Sequence, residues 1–305
     1  MNYLSAVDYC FQDVPGGMGR VAWDVAVLMR DRGHDVTMLS MVPPALRGRS
    51  LPAECEGIRI VRYERPELPS WHPRRAARSI EAAAGVVRRE LGSVRWDVVH
   101  MHSPFTGWGA VNGLGAGPHY LYTMHSPMVL EQKINWAEQG WAGRIKRFAG
   151  LPSLRRLERG LLERCVAIQT LSAYTKQELE GFHGLGARVT IIPHWRRPGL
   201  KRSHEKAEAR RLLNWPQDEP ILFTLRRHGS RYGIDIAIRA VASLAAERKC
   251  LFMIGGDGAM RPMLERLAGE LGVSDRIRFL GRIPDEQVAL AYEAADLFVL
   301  PTRAL

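Results

Sequence analysis

The chain has 305 residues, 46% hydrophobic and 25% charged, which is an ordinary globular composition and length enough for two α/β domains of about 150 residues each. No run of about 18 uncharged apolar residues occurs and the N-terminus, MNYLSAVDYCFQDVPGG, lacks a basic segment followed by an apolar one, so neither a transmembrane helix nor a secretory leader is expected; the reading is a cytoplasmic protein. Cys10, Cys55, Cys165 and Cys250 are far apart with no C-x-x-C pair, which argues against a zinc site and a disulfide framework, while a net charge of +11 points to an anionic partner.

That partner is a nucleotide, a phospholipid surface or nucleic acid; no nucleic-acid recognition motif is visible. Only six of the 43 basic residues are lysines, and arginine suits bidentate phosphate contacts. A first strand is expected over 2–7, then Gly16-Gly17-Met18-Gly19, then a helix from 20 with Val21, Val25, Leu28 and Met29 on one face. Gly33 ends that helix and 36–41 reads as the second strand. The glycine-rich loop of this βαβ unit either lets backbone approach a ligand or makes a tight strand-to-helix turn. P-G-G-M-G-R is neither G-x-G-x-x-G nor a Walker A loop, so dinucleotide binding gains little support.

Residues 58–63 read as a strand, 66–73 as a proline-rich loop and 74–91 as an amphipathic helix bearing Arg74, Arg75, Arg78, Arg88 and Arg89. Strands over 96–101 and 120–124 end at His102-Ser103 and His125-Ser126. His102 is expected to be structural, and His125 either structural or a site contact. Residues 131–164 are helical and basic, broken at Pro152, with Trp136, Trp141, Ile145, Phe148 and Leu151 among the charges. This segment either meets an anionic membrane or forms a helix pair packed by its aromatics. A strand at 167–171, a helix at 173–182 capped by Ser172 and a strand at 189–192 follow. A basic linker with Arg196, Arg197, Lys201 and Arg202 sets the expected domains at 1–195 and 196–305.

The second domain reads as helix 205–213, strand 221–225, a cationic loop, a helix carrying Ile234, Ile238 and Val241, and strand 251–254 running into Gly255-Gly256-Asp257-Gly258. Such a unit aims both loops at the carboxyl edge of a parallel sheet, where open α/β folds bind ligands. Arg226, Arg227, His228 and Arg231 stand at a helix N-terminus, where backbone N–H groups favour phosphate; the alternative is a solvated arginine loop. Helix 260–271, strand 277–280, helix 285–294 and strand 297–300 complete the chain.

Taken together the motifs are specific. P-G-G-M-G-R at 15–20, D-V-V-H-M-H-S-P at 97–104, T-M-H-S-P at 123–127, T-L-S-A-Y-T at 170–175, I-I-P-H-W at 191–195, T-L-R-R-H-G-S-R-Y-G-I-D at 224–235, I-G-G-D-G-A-M-R-P-M-L-E at 254–265, F-L-G-R-I-P-D-E-Q-V at 279–288 and A-D-L-F-V-L-P-T at 295–302 come in one order. In that order the sequence resembles the GT-B glycosyltransferases of family 4. The resemblance implies two facing Rossmann-like domains with parallel sheets. The second holds a UDP- or GDP-sugar and the first a glycan or lipid-linked acceptor hydroxyl, for transfer of a hexosyl group with retention and without metal or cofactor. It assigns Gly16 and Gly17 to the donor phosphates, His125 to the donor sugar, and Arg226, Arg227, Arg231 and Gly256 to the diphosphate. His125, Arg226 and Arg231 are the expected catalytic residues. The family's phosphate-binding lysine is matched by Tyr232, with Arg231 one residue earlier as the substitute charge. The family's E-x7-E segment would follow P-T-R-A-L, so a fragment, a natural truncation or one piece of a split protein is expected, with a non-catalytic nucleotide-sugar-binding or partner-binding protein as the alternative function. A lipid-linked acceptor and the basic helices also imply peripheral contact with an anionic inner membrane face.

Overall fold

The alternation of apolar strands and amphipathic helices resolves into two sheets in the computed structural model, which describes residues 1–69, 72, 74–137, 140–195, 203–245 and 247–303. The chain divides into two units, Met1–His194 and Trp195–Leu305. The basic linker from 196 to 202, part of the loop at 66–73, and Ala304 and Leu305 lie outside the described residues.

In the first unit the elements run β1 (Asn2–Ala6), α1 (Gly17–Asp31), β2 (Asp35–Met41), β3 (Glu54–Cys55), β4 (Ile58–Tyr63), α2 (Arg75–Glu90), β5 (Val98–Met101) and α3 (Pro104–Leu114). After them come β6 (His119–Met124), α4 (Met128–Ala137), α5 (Gly140–Glu163), β7 (Ala167–Thr170), α6 (Ala173–His183) and β8 (Val189–Ile191). The strand order is β3-β4-β2-β1-β5-β6-β7-β8, parallel throughout except for the β3–β4 pair. A parallel sheet is covered on both faces, and the two-residue period of its strands sorts their side chains between two cores. Leu4, Leu39 and Met101 pack with Ala83, Val87, Ala110 and Leu161 on one face, and Tyr3, Met38 and Ile60 pack with Ala22, Trp23 and Ala26 on the other. The buried carboxylate of Glu158 ties three helices together: it accepts from the Met128 N–H at 2.7 Å and meets His183 Nε2 at 2.9 Å.

Three local differences from the sequence reading have physical causes. The strand β3 was not anticipated, because two residues carry no alternation. It pairs through Cys55↔Ile58 across Glu56 and Gly57, whose φ values of 50° and 72° make a two-residue turn of the type that matches strand twist. Helix α1 begins at Gly17, so Gly17, Met18 and Gly19 form its first turn and the glycine stretch is not a loop. Pro152 lies inside α5 and does not break it; Pro152 and Phe148, four residues earlier, are both exposed, so water can serve the carbonyl that proline leaves without a donor.

The second unit contains α7 (Lys206–Leu212), β9 (Ile221–Leu225), α8 (Ile234–Leu244), β10 (Leu251–Gly255), α9 (Arg261–Glu270), β11 (Ile277–Gly281), α10 (Asp285–Ala294) and β12 (Leu297–Phe298). Its sheet has the order β11-β10-β9-β12 with parallel pairs. Phe252 and Ile254 face α8 and α9 through Ile238, Val241 and Leu264, while Phe223 and Met253 face Ala209, Trp215, Ala291 and Ala294 on the opposite side. A charged clamp closes this second face. Buried Arg210 donates to the carbonyls of Ala294, Gln217 and Glu219 and to Asp296 Oδ2, and Asp296 also accepts from Lys206 Nζ at 2.6 Å and the Ile221 N–H at 2.7 Å.

Removing Arg210 takes its donors from three carbonyls and leaves the Asp296 carboxylate with Lys206 and Ile221 alone, so Arg210→Ala should destabilise the second unit by on the order of 3 kcal/mol, read from denaturant melts. Burial alone would raise the Asp296 carboxyl, but the hydrogen bonds from Lys206 and Ile221 and the charges of Arg210 and Lys206 outweigh it and hold it below its usual value. A folded-state value below the unfolded one means the contribution is present above the unfolded value of 3.8 and is lost as pH falls through the folded one. The stability gap between the native chain and Asp296→Asn should therefore shrink on acidification below about pH 4; a gap independent of pH would remove Asp296 from the clamp.

Candidate functional site

At the carboxyl edge of the second sheet the order reverses between β9 and β12, which is where an open parallel sheet leaves a crevice. Arg226 leaves the end of β9 there. Its Nη1 donates to Thr302 Oγ1 beyond β12, and its guanidinium lies 4.8 Å from the centroid of the Tyr232 ring. Arg231 lies 5.0 Å from the same centroid and donates to the Tyr232 hydroxyl at 2.9 Å. Tyr232 thus carries two guanidinium groups on one ring, beside the N-terminus of α8. Burial first, then Arg231, push the Arg226 pKa down, against the pull of Tyr232.

The backbone beneath is unusually tight. Gly256 has φ 101° and a Cβ there would stand 1.9 Å from the Arg226 carbonyl oxygen; Gly233 has φ 67° and a Cβ there would meet the Pro301 carbonyl at 1.8 Å. Both positions admit only glycine. The Arg226 N–H donates to Gly255 O at 3.1 Å and the His228 N–H to Asp257 O at 2.9 Å, so the two loops are laced by backbone. His228 does not join the cationic cluster expected of it: it is buried, burial pushes its pKa down, and neither ring nitrogen has a hydrogen-bond partner among the described residues. Arg227 is exposed.

In the first unit a row of polar side chains crosses four neighbouring strands. Tyr3 OH meets His100 Nδ1 at 2.5 Å, His100 Nε2 meets Thr123 Oγ1 at 2.6 Å, and Thr123 reaches Gln169 Oε1 at 3.5 Å. Burial pushes the Tyr3 phenol far up, so it stays protonated and donates; the neutral His100 then carries its proton on Nε2 and every member of the row has one role. Above His100 stand His102, at 4.3 Å between ring centroids, and His125, at 5.5 Å from His102; His102 Nδ1 and His125 Nε2 are 3.2 Å apart. Burial brings His100 and His125 to about 4, helped at His100 by His125 and at His125 by His194, and holds His102 well below the usual histidine value. The three rings are neutral at pH 7.

His125 and His102 therefore come together, joined by His100, which the sequence reading did not single out. Two carboxylates also escaped it. Asp8 accepts from Ser103 and Thr106, each at 2.7 Å, and the buried Asp24 of α1 meets Arg20 at 3.2 Å and His194 at 3.2 Å. Only the pattern of an acidic residue just after β1 could have flagged Asp8. Gly16 and Gly17 are exposed at the start of α1, and a Cβ at either would meet nothing within 4 Å. Gly16 has an extended φ of −176°. Neither position needs glycine for its backbone or for space. No cluster of His, Cys, Asp or Glu among the described residues has the arrangement of a metal site.

Residues 15–196 match the model of Glycosyltransferase Family 4 and residues 205–304 that of Glycosyl transferases group 1. The D-inositol 3-phosphate glycosyltransferase of Thermobispora bispora is 30% identical over 235 residues, which are 72% of this chain and 53% of that protein. The chain spans about half the length of this curated relative and of the 2-deoxystreptamine glucosyltransferase and alpha-D-kanosaminyltransferase of Streptomyces kanamyceticus that it also matches. Sucrose-phosphate synthase from Thermosynechococcus elongatus gives a TM-score of 0.75 at 21% identity, over 99% of this chain and 75% of the other. Anabaena HepE, solved with UDP and glucose, gives 0.71 at 16%, over 100% and 75%. At these identities the structures speak for the fold, which is the GT-B fold with parallel-dominated sheets in two domains. With one family model covering more than half of the sequence and a second glycosyl transferase model taking up most of the remainder, the chain belongs to Glycosyltransferase Family 4.

Proposed function

We propose that this chain takes part in moving a hexosyl group from a UDP- or GDP-sugar to a hydroxyl of a glycan or lipid-linked acceptor, with retention, in the cytoplasm or at the inner face of its membrane. The observation that carries the reading is the pair of arginines held on Tyr232 at the switch point of the second sheet. HepE, of the same fold, is solved with UDP and with UDP-glucose, which supports a nucleotide-sugar here. As the glycosidic bond breaks, negative charge grows on the departing diphosphate, and fixed cations near it lower the barrier more than they stabilise the ground state. Arg226 and Arg231 would meet that charge without a metal, with Arg227 and the Gly256 backbone as further phosphate contacts; the exposed N–H groups at Gly16 and Gly17 of the first unit are a separate candidate for phosphate contact. The neutral His125 fits a sugar hydroxyl, to which an imidazole can donate or from which it can accept a hydrogen bond. A lipid-linked acceptor would give the chain's basic surface a reason to stand at a membrane.

Arg226→Ala should weaken binding of UDP or GDP by about 1.5–3 kcal/mol, the usual worth of a charge-assisted contact to phosphate, in titration calorimetry. An unchanged affinity would take Arg226 out of the site. Tyr232→Leu, which keeps both arginines but removes their shared support, should lower affinity and steepen its salt dependence.

The neutral histidines give a pH signature of definite sign. Their folded values lie below the usual 6.5, so the stability they contribute is complete above 6.5 and is lost as pH falls from there through about 4. Each should add about 1.4 kcal/mol per pH unit to the loss in that window. Urea melts between pH 7 and 4 on the native chain and on His100→Phe measure it; identical slopes would show that His100 titrates freely.

A further inference from the structure

Helix α5 presents two faces of opposite character. Leu161 and Leu162 are fully buried, Leu154 and Leu157 half-buried, and Glu158 is locked to His183 on the side that meets the core. Away from it, Trp141, Ile145 and Phe148 follow one another at spacings of four and three and are 73%, 56% and 88% exposed. The same stripe continues through exposed Pro152, Arg155, Arg156 and Arg159, with exposed Arg144 beside Ile145. From Trp141 to Arg159 it is about 27 Å long, at 1.5 Å per residue.

Beside α4 this stripe stays largely open to solvent. The aromatic that joins the two helices is Trp136, whose ring sits where a Cβ on Gly150 would be, 2.7 Å away. The expected helix pair packed by aromatics thus accounts for Trp136 and leaves Trp141, Ile145 and Phe148 over. Trp136, Trp141, Arg144 and Arg147 also line a concavity of about 420 Å³ with Ala137 and Gly140. A single exposed apolar side chain is ordinary, but three on one helical stripe collared by arginine mark an interaction surface.

Charge selects the occupant. Between Gly140 and Leu162 the only carboxylate in the sequence is Glu158, and it is buried; exposed Glu163 pairs with Arg159 at 2.7 Å at the end of the stripe, so the excess charge of the exposed face is positive. A second copy of the chain, docked face to face, would set arginine against arginine. An anionic bilayer offers phosphates to the arginines and a headgroup–acyl boundary to Trp, Ile and Phe. We propose that the α5 face from Trp141 to Arg159 docks the first unit on an anionic lipid bilayer, with Trp141, Ile145 and Phe148 in the interface and Arg144, Arg155 and Arg156 on headgroup phosphates. The proposal uses no residue of the polar edges described in either unit. It supplies a surface for meeting a lipid-linked acceptor, yet stands whether or not transfer is the activity.

The test is flotation of the full chain with vesicles of phosphatidylcholine, with and without phosphatidylglycerol. Capture by the anionic vesicles alone, falling as salt rises, is expected, with a blue shift of tryptophan fluorescence that Trp141→Phe abolishes. Replacing Trp141, Ile145 and Phe148 by Ser removes the apolar contact and replacing Arg144, Arg155 and Arg156 by Gln removes the headgroup contacts, and each should lower partitioning about tenfold or more. Calorimetry with UDP and GDP on the same variants should match the native chain, and Arg226→Ala should float as the native chain does, which separates this surface from the nucleotide reading. Equal capture by neutral and anionic vesicles, or undiminished capture in either triple variant, would overturn the proposal. So would a concentration-dependent dimer that the apolar triple variant disperses, because a second copy would then be what covers the face.

Discussion

Two loops from adjacent parallel strands can serve one ligand only if their backbones pass at near contact, and in the second unit that constraint is met by Gly256 against the carbonyl of Arg226. A side chain at 256 would displace the first residue beyond β9, and with it the guanidinium that reaches Thr302 and Tyr232. The left-handed backbone at Gly233 does the same for the far end of the loop, where α8 starts against Pro301. Between these two points the loop has little freedom. The arginines it carries are accordingly preorganised, which is what electrostatic stabilisation of a developing charge requires.

Tyr232 shows how the loop tolerates the loss of the lysine that its family resemblance would place there. Two guanidinium groups brought close repel each other by about 1 kcal/mol or more in a half-solvated loop. Cation–π contact returns about 0.5–1 kcal/mol for each group at an exposed site, so the ring roughly offsets the repulsion. The hydroxyl adds a hydrogen bond to Arg231, and Thr302 adds one to Arg226. A lysine would supply one mobile point charge, whereas here a planar arginine fork is fixed one residue earlier.

The strand and helix pattern was legible because nearly every strand is an apolar run and nearly every helix has one apolar face, and these are period signals. Signals shorter than a period were not legible. β3 has two residues, and the first turn of α1 contains Gly17 and Gly19, which propensity assigns to a loop although a first turn needs only helical φ and ψ. Pro152 looked like a break because the sequence does not say which side of the helix faces water. At the candidate site, the cationic residues at 226 and 231 were visible from their place between a strand and a helix, and His102 and His125 from their like positions at two strand ends, though not that their rings meet. His228 looked cationic from its neighbours, and its burial under Phe279 and Asp257 is a tertiary fact. His100, Asp8 and Asp24 were missed for the same reason: each is defined by partners 23 to 170 residues away, such as Thr123 for His100, Thr106 for Asp8 and His194 for Asp24.

The polar sheet edges of the two units also differ in charge. A net charge of +11 says that the chain favours anions but not where. At the sheet edge of the second unit it includes Arg226, Arg227 and Arg231, groups that stay charged at any physiological pH. On the first unit the row His100, His102 and His125 could have added three more cations, and burial prevents it by making each protonated form costly. The row of hydrogen bonds from Tyr3 through His100 to Thr123 and Gln169 fixes the tautomer below, so the rings above it stand on a rigid and uncharged base. Such an edge discriminates by hydrogen-bond geometry, which suits a ligand made of hydroxyls, while the arginine edge discriminates by charge, which suits a diphosphate.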